Sequence, residues 1–397
     1  MSIVLFGAFD RHNLGDLLLP HVAAALLPGH DPVYAGLAQR DLRPCGGHAV
    51  RALAEVAAAA GPPATALIHV GGEILTCSAW QAAVMLLPPA QVPPTVAWLE
   101  GRPQERADWV RRTLGTAALA PYVASRPRLP GVGRIVHAGV GGADLDSCDP
   151  ALRDEVLAAL RSADRVWVRD HRTLAHLAGA GRRARLMPDP AVMVAALFGA
   201  RIRRRARAGA VAALRRQFPQ GYLAVQFGAE FADDATLAVL AAQLSHAAKA
   251  SGLGIVLFRA GAAPWHDDPA ALQRAAARLP ARQVQIFASL SIWDLCALVA
   301  GSRGYCGSSL HGRIVAMAFA RPRVNLRRPG VPAAADKVAA FVETWDDSTL
   351  PGLVDAGAAA RGIEAALAAD PARLRQRAAL LAAACREGFD DIRRGLG

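Results

Sequence analysis

Short apolar segments that end in glycine or a polar residue, each followed by a helical pattern, recur along this chain and constrain its fold more than any other feature. The first covers residues 3–6 and ends at Gly7, and a helical pattern follows from about Leu14 to Leu27. Continuous apolar runs of this length are typical of strands buried on both faces of a parallel sheet. The same plan is repeated over 66–70, 134–140 and 166–168, and again over 222–227, 254–259, 284–287, 304–306 and 323–326.

Two such series predict an α/β protein with two Rossmann-like domains whose parallel sheets face a central cleft. We expect an N-terminal domain over 1–198, a basic linker over 199–220, a C-terminal domain over 221–356 and C-terminal helices over 357–397. The linker is interpreted as a solvated helix, with contact to membrane lipid as the alternative. Pro371 is expected to restart the second of the C-terminal helices.

Composition narrows the classes of partner. The chain of 397 residues has a formal net charge of +12, carried almost wholly by arginine because Lys249 and Lys337 are the only lysines. A basic average favours acidic ligands, but the arginines are scattered without the aromatic residues of a nucleic-acid groove, so no nucleic acid is expected. Six cysteines without paired spacing and eleven histidines without a metal motif predict a reducing compartment and no metal site.

The N-terminal sequence enters a strand directly, without the cationic region and cleavage site of a signal peptide. Apolar stretches are interrupted well before the roughly 18 residues that a membrane span needs. We therefore expect a cytoplasmic protein, with peripheral contact at the inner membrane face as an open alternative. No oligomeric state is predicted.

The segment from Tyr305 to Arg313 indicates a strand end, a tight Gly/Ser turn and the first turn of a helix that carries His311 and Arg313. A helix N-terminus exposes N–H groups and partial positive charge, which suits a phosphate or carboxylate. Arg313 opposes the helix dipole at this position and therefore calls for a nearby anion. The alternative is a solvated arginine on a surface helix.

Several short motifs occur in one order along most of the chain: Asn13-Leu-Gly-Asp16, Gly71-Gly72-Glu73, Gly139-Val-Gly141, Arg169-Asp170-His-Arg-Thr173, Asp189-Pro190, Gly307-Ser-Ser-Leu310-His311 and Lys337. The ordered set resembles the polysaccharide pyruvyl transferase family, whose members move the enolpyruvyl-derived group of phosphoenolpyruvate onto sugar hydroxyls as a ketal. The resemblance implies a GT-B-like fold in which a C-terminal helix crosses back to the first domain. Many members carry arginine before Leu-His, where this chain has Ser309.

The resemblance implies an acceptor side in the N-terminal domain and a donor site in the C-terminal domain. The donor substrate would be phosphoenolpyruvate, with no other cofactor, and the partner a cell-surface polysaccharide or its lipid-linked precursor. We assign His311 as base or proton shuttle and Arg313 as its cationic partner. Donor contacts are expected from Ser308, Ser309, Arg259, Arg169 and Lys337, and acceptor-side or loop roles from Asn13, Asp16, Gly71 and Gly72.

Structural alternatives stand beside these assignments. His311 is alternatively a residue that caps or packs at its turn, and Asp170 and Asp189 are interpreted mainly as helix N-caps. Asn13 and Asp16 are alternatively residues that hold a turn through Asx hydrogen bonds. The segment 266–268 offers a candidate acid, with a solvated turn as the alternative.

Two further functions remain open. The first is a glycosyltransferase that uses a nucleotide sugar in the same architecture, although no acidic pair is placed to hold a ribose in the second domain. The second is a non-catalytic relative, for which Ser309 is the main argument.

Overall fold

The computed structural model describes residues 2–59, 65–129 and 131–396. The chain divides into two compact units, Met1–Pro190 together with Ala384–Gly397, and Ala191–Ala383. This boundary lies before residue 198, where the first domain was expected to end. Segment 199–220 therefore belongs to the second unit.

The first unit is built on an eight-stranded sheet that is parallel except for one antiparallel pair at its edge. Its elements are β1 (Ser2–Phe6), α1 (Leu14–Leu26), β2 (Asp31–Gly36), β3 (Arg40–Asp41), β4 (Ala49–Ala52), α2 (Leu53–Ala58), β5 (Ala66–His69), α3 (Ala79–Met85), α4 (Val92–Leu99), α5 (Pro103–Leu114), β6 (Arg134–Val140), α6 (Pro150–Ser162), β7 (Arg165–Val168), α7 (His171–Gly179) and β8 (Arg185–Leu186). The strand order is β3-β4-β2-β1-β5-β6-β7-β8.

The second unit holds a six-stranded parallel sheet. Its elements are α8 (Val194–Arg205), α9 (Gly209–Gln217), β9 (Tyr222–Gln226), α10 (Asp234–Ser251), β10 (Gly254–Phe258), α11 (Pro269–Ala277), β11 (Val284–Phe287), α12 (Ile292–Gly301), β12 (Gly304–Gly307), α13 (Leu310–Ala318), β13 (Arg323–Leu326), α14 (Lys337–Trp345), β14 (Leu353–Val354) and α15 (Ala359–Leu367). The last helix, α16 (Pro371–Arg394), begins in this unit, and its residues from Ala384 onward belong to the first unit. The strand order is β11-β10-β9-β12-β13-β14.

Each strand that the apolar runs predict is confirmed, and so is the restart of the last helix at Pro371, where Asp370 accepts a hydrogen bond from Ala372 N–H. Five strands were not predicted. Of these, β3, β8 and β14 have two residues each, and β2 and β4 carry mixed apolar and polar residues instead of a continuous run. Runs so short or so mixed give no distinct periodicity.

Each sheet has a point where the strand order reverses direction. In the first unit, β1 pairs with β2 on one side and β5 on the other. In the second unit, β9 pairs with β10 on one side and β12 on the other. Ligands of open α/β sheets bind outside the carboxyl ends of the strands at such switch points. The two switch points therefore locate one candidate region in each unit.

Two stacked histidines lie in the core of the first unit. His69 and His137 pair in register on β5 and β6, with ring centroids 3.8 Å apart, and both are fully buried. Nε2 of His69 accepts a hydrogen bond from Ala124 N–H at 2.9 Å, which fixes this ring as neutral. Burial lowers the pKa of His69 to about 4, and burial together with His69 and Arg182 lowers the pKa of His137 well below its ordinary value.

Because of these two histidines, we expect the free energy of unfolding to fall in mild acid. Both pKa values are depressed by folding, so the unfolded chain binds more protons below pH 6.5 and the free energy of unfolding falls as the pH drops. Each histidine contributes a slope of about 1.4 kcal/mol per pH unit until it is protonated in the folded state. His137→Leu should remove one of these contributions, measured by denaturant unfolding between pH 7 and 5. A variant with the slope of the parent protein would contradict the prediction.

Candidate functional site

Gln226 connects the loops at the switch point of the second unit. It is the last residue of β9, lies opposite Gly307 of β12 and is 2% exposed. Its Oε1 accepts a hydrogen bond from Ser309 N–H at 2.8 Å, and its Nε2 donates to Oδ1 of Asp267 at 2.8 Å. One buried amide therefore joins the start of α13 to the loop that follows β10.

At this edge of the sheet, the carboxyl group of Asp267 has a pKa that is raised above its ordinary value. Its Oδ2 accepts hydrogen bonds from Ala260 N–H at 2.6 Å and Gly261 N–H at 3.2 Å. Burial raises the pKa of Asp267 to about 7, although these hydrogen bonds and the one from Gln226 act in the opposite direction. A carboxyl group that titrates near neutrality is suited to proton transfer.

The start of α13 is fixed by the two serines of the Gly/Ser turn. Ser308 Oγ accepts a hydrogen bond from Gly228 N–H at 3.0 Å. Ser309 is the N-cap, and its Oγ accepts from Gly312 N–H at 3.1 Å. A guanidinium has no acceptor atom, so an arginine at position 309 would not provide this cap. Ser309 therefore has a structural role that accounts for its presence there.

Arg313 does not have the solvent-accessible position that a donor contact requires. It is 0% exposed, and its guanidinium pairs with Asp346, which also pairs with Arg323 at 2.6 Å. Arg313 also donates to Oδ1 of Asn325 at 2.9 Å. The anion that the sequence position calls for is thus a carboxylate of the chain itself. We correct the role of Arg313 from a cationic partner of the donor to a residue that anchors α13.

The other residues assigned to the donor differ in their surroundings. His311 lies in the first turn of α13 and is largely buried. Lys337 is the first residue of α14, after the N-cap Asp336, and is partly buried. Arg259 follows β10 directly and is also partly buried. Within the described part of the chain, the Arg259 side chain has no ion pair or hydrogen bond, so its charge remains available to a ligand.

The residues expected on the acceptor side lie together at the switch point of the first unit. Asn13 is the N-cap of α1 and accepts a hydrogen bond from Gly15 N–H at 3.0 Å. Gly71 and Gly72 follow β5 with φ of 90° and 83°, which favours glycine. A Cβ on Gly72 would lie 3.4 Å from Oδ1 of Asp16. Asp16 thus faces the glycine turn, while Asn13 shapes the loop.

Arg169 is enclosed by acidic groups and does not fit a donor contact. It is 1% exposed, pairs with Glu73, and donates to Oδ2 of Asp189 at 2.9 Å. A Cβ on Gly141 would fall 2.6 Å from Nε of Arg169, so a side chain at this position would displace Arg169 from its present packing. Asp170 caps α7 by accepting a hydrogen bond from Thr173 N–H at 2.7 Å. Asp170 is therefore a helix N-cap, as its structural interpretation predicted. The role of Arg169 is corrected from a donor contact to a residue that joins three loops.

One polar cluster in the first unit was not predicted. The Tyr122 hydroxyl donates to Oδ1 of Asp10 at 2.7 Å, and Arg11 donates to the Tyr122 oxygen at 2.6 Å. Oδ2 of Asp10 accepts from Leu37 N–H at 2.6 Å. The polar run that follows β1 was visible in the sequence, but its partner Tyr122 is more than one hundred positions away. The cluster places Arg11 close to the residues at the switch point.

The described residues contain neither a metal-binding cluster nor a membrane-spanning helix. Among residues 2–59, 65–129 and 131–396, no group of three or more His, Cys, Asp or Glu side chains is arranged to hold a metal ion. In the same ranges, no helix combines the length and the apolar character that crossing a bilayer requires.

The fold is similar to that of proteins whose structures were solved with a bound sugar nucleotide. The UDP-GlcNAc 2-epimerase of Neisseria meningitidis bound to UDP-GlcNAc is 10% identical, with a TM-score of 0.53 over 99% of this chain and 99% of that chain. HepE of Anabaena in complex with UDP-glucose is 12% identical, with a TM-score of 0.54 over 100% of this chain and 97% of that chain. The predicted α/β, GT-B-like fold class is confirmed.

Comparison of the sequence gives a match to a protein family but not to an individual curated protein. No curated protein is significantly similar to the chain. A family model does match, over a region that runs from the last two residues of β6 to just beyond the end of β13. This match supports a transferase that modifies polysaccharides. The model is that of the polysaccharide pyruvyl transferases, and it matches residues 139–328. The predicted resemblance of the chain to this family is therefore confirmed.

Proposed function

We propose that this protein transfers a pyruvyl group from phosphoenolpyruvate to hydroxyls of a cell-surface polysaccharide or its lipid-linked precursor, forming a ketal. The observation that carries the proposal is Asp267, a carboxyl group with a pKa of about 7 at the switch point of the second sheet. It is joined through Gln226 to the start of α13, inside the region that matches the family.

The reaction defines what the site must supply. A proton is added to the methylene carbon of phosphoenolpyruvate, which becomes a methyl group and leaves positive charge on C2. Two sugar hydroxyls then bond to C2 and lose their protons, and the C2–O bond to phosphate breaks. One of those protons replaces the one added to the methylene, and the other leaves with phosphate. The site therefore needs an acid, a base and cationic contacts for a carboxylate and a phosphate.

Asp267 is the acid in this proposal. An ordinary aspartate is ionised at neutral pH, whereas a carboxyl group with a pKa of about 7 retains a proton for transfer in a large fraction of molecules. A group whose pKa lies near the working pH is protonated in many molecules and also gives up its proton readily, which makes it an efficient general acid. His311, in the first turn of the helix that begins beside Gln226, is the proposed base for the acceptor hydroxyl.

The anionic groups of the donor are assigned to Arg259 and to the first turn of α13. Arg259 precedes Ala260, whose N–H is bonded to Asp267, so the cation and the acid belong to one loop. The first turn of α13 adds the partial positive charge of a helix N-terminus. Lys337 remains a proposed further contact at the start of α14.

The acceptor is assigned to the first unit. Asp16 lies beside Gly72, and Arg11 extends the polar character of that switch point. A carboxylate and a guanidinium that are both partly exposed are suited to hydrogen bonds with sugar hydroxyls. Asn13, Gly71 and Gly72 shape this region.

Protection against thermal unfolding tests the donor. Phosphoenolpyruvate at 100 times its dissociation constant should raise the free energy of unfolding by about 2.7 kcal/mol. UDP-GlcNAc and UDP-glucose should give no protection, and release of inorganic phosphate with a saccharide acceptor should accompany turnover. Protection by the UDP-sugars alone would indicate a glycosyltransferase, and protection by neither would indicate a non-catalytic relative.

Arg259→Gln should weaken donor binding. Loss of a charge-assisted hydrogen bond weakens an interaction by about 1.5–3 kcal/mol, so the dissociation constant for phosphoenolpyruvate should rise about 10- to 100-fold in calorimetric titration. Arg282→Gln is the matched control, because Arg282 is an exposed arginine that precedes β11 at the opposite edge of the same sheet. Equal effects of the two substitutions would remove Arg259 from the donor site.

A further inference from the structure

The opposite, amino-terminal edge of the second sheet holds a cationic pocket that the proposed reaction does not use. The pocket has a volume of about 290 Å³ and lies where β9 and β12 begin. Its lining includes Arg215, Arg303 and Arg321, together with Tyr222 and Ser302. At about 3.3 Å per residue, the five residues of β9 separate this edge from Gln226 by roughly 15 Å.

The three arginines converge without a carboxylate. Among the described residues, none that lines the pocket is acidic. Nε of Arg321 is buried and has no hydrogen-bond partner within the described ranges. Burial lowers the pKa of Arg321, and the neighbouring charges of Arg303 and Arg215 lower it further, against the opposing effect of Tyr222. The positive charges of these arginines repel one another, and a bound anion would reduce this repulsion and stabilise the charged guanidinium groups.

The backbone holds two of these arginines in place. Arg321 follows α13 through a Schellman turn, in which Arg321 N–H donates to Ala316 O at 2.8 Å and Ala320 N–H donates to Met317 O at 2.9 Å. Ala320 occupies the left-handed position of this turn with φ of 52°, where glycine is usual. Strained backbone of this kind persists where the surroundings fix it and is concentrated at functional sites.

Arg303 packs over a glycine. A Cβ on Gly221, which has φ of 103°, would lie 2.7 Å from Cγ of Arg303. Nε of Arg303 donates to Gln220 O at 3.3 Å, and Arg303 lines the pocket. The arginine is therefore held by the backbone rather than by an acid.

A second pocket of about 480 Å³ adjoins the first and shares Arg303 and Arg321 with it. Its other walls are largely apolar and include Leu253, Phe319 and Leu374. A ligand that spans both pockets would therefore combine a phosphate-type anion with an apolar portion. Guanidinium groups bind phosphate through paired hydrogen bonds, which makes phosphate a better match than a halide.

We propose that Arg215, Arg303 and Arg321 form a binding site for a phosphate or diphosphate group attached to an apolar moiety. The same chemistry is offered by a lipid headgroup and by a soluble phosphate ester. This site is separate from the switch-point donor site, and its existence does not depend on the reaction proposed above.

The test uses the full chain with inorganic pyrophosphate in calorimetric titration and with phosphatidylglycerol vesicles in flotation. The pocket variant is Arg303→Gln combined with Arg321→Gln. The matched control is Arg207→Gln combined with Arg216→Gln, which removes the same charge from exposed arginines that do not line the pocket. Arg259→Gln is included to separate pyrophosphate bound at the proposed donor site.

Pyrophosphate should bind the parent protein, the control and Arg259→Gln with similar affinity, and its dissociation constant should rise about tenfold or more in the pocket variant. Vesicle binding that is lost in the pocket variant alone assigns the site to a lipid headgroup, and pyrophosphate binding without flotation assigns it to a soluble phosphate. Equal loss in the control would show only a diffuse basic surface and overturn the proposal. Unchanged affinity in the pocket variant, or no binding of either probe by the parent protein, would also overturn it.

Discussion

Replacing Asp267 with asparagine should lower turnover by about 10²- to 10⁴-fold, the range typical of lost general acid–base catalysis. Asparagine has a similar shape and can still accept hydrogen bonds from the N–H groups of Ala260 and Gly261, but it loses the hydrogen bond from Gln226 and has no acidic proton to give to the donor methylene. Release of inorganic phosphate from phosphoenolpyruvate in the presence of acceptor measures the change. Donor affinity should be retained, because the proposed donor cation is Arg259.

The pH profile distinguishes an acid from a structural residue. Since burial raises the pKa of Asp267 to about 7, turnover of the parent enzyme should fall about tenfold per pH unit above neutrality, as the carboxyl group loses its proton. The residual activity of Asp267→Asn should lack this decline. Ionisation of Asp267 disfavours folding above its unfolded pKa, so any loss of stability in the asparagine variant relative to the parent protein should be smaller at pH 8 than at pH 5.

The neighbouring residue provides a control for Asp267. Asp268 is the N-cap of α11 and accepts a hydrogen bond from Ala270 N–H at 2.8 Å. Asparagine is an equally good N-cap, so Asp268→Asn makes the same change of charge with little effect on folding. Turnover equal in the two variants, or an unchanged pH profile in Asp267→Asn, would rule out Asp267 as the acid.

The fold could be predicted because most of its strands are recognisable from a few consecutive residues. Most of the longer strands are apolar runs that end in glycine or a polar residue, as in 254–258, whereas the six-residue β2 is mixed and was missed. A strand buried on both faces leaves this mark in the sequence whatever its neighbours are. The two-residue strands were missed because pairing with a neighbour, rather than their own residues, defines them.

The candidate site was predicted less completely because its partners are distant in sequence. The position of Arg313 correctly indicated a nearby anion, but Asp346, which is 33 positions away, supplies it. Gln226 is a polar residue in an otherwise apolar strand segment, and this contrast was a signal that sequence reasoning did not use. Asp267 was identified only as one of three candidates, since its acidity depends on burial that a sequence does not show.

Replacing Asp346 with asparagine should destabilise the second unit by about 3–5 kcal/mol, as expected when one partner of a buried ion pair is removed. Asp346 is 1% exposed as a side chain, and its two partners Arg313 and Arg323 are fully buried. Burial alone would raise the pKa of Asp346, but the two arginines outweigh it and hold the value at about 2. Denaturant unfolding at neutral pH measures the loss.

The control for Asp346 is the next residue. Asp347→Asn removes the same charge from a carboxylate that pairs with Arg373 at 2.6 Å, near the surface. This substitution should change stability far less, because a solvent-screened pair contributes little. A similar loss in both variants would show that charge at this turn, rather than burial of the two arginines, decides stability.

A triple variant decides whether Arg313 only anchors the helix or also binds the donor. Arg313→Met, Arg323→Met and Asp346→Val together replace the buried charges with apolar groups of similar total volume, a change that is often neutral or stabilising for buried ion pairs. The triple variant should therefore be more stable than Asp346→Asn. If Arg313 is a positioning residue, phosphoenolpyruvate should still protect the folded triple variant against thermal unfolding, because Arg259 and the first turn of α13 remain in place. A well-folded triple variant that phosphoenolpyruvate no longer protects would instead return Arg313 to the donor site, and the buried carboxylate of Asp346 would then have to release it when the donor binds.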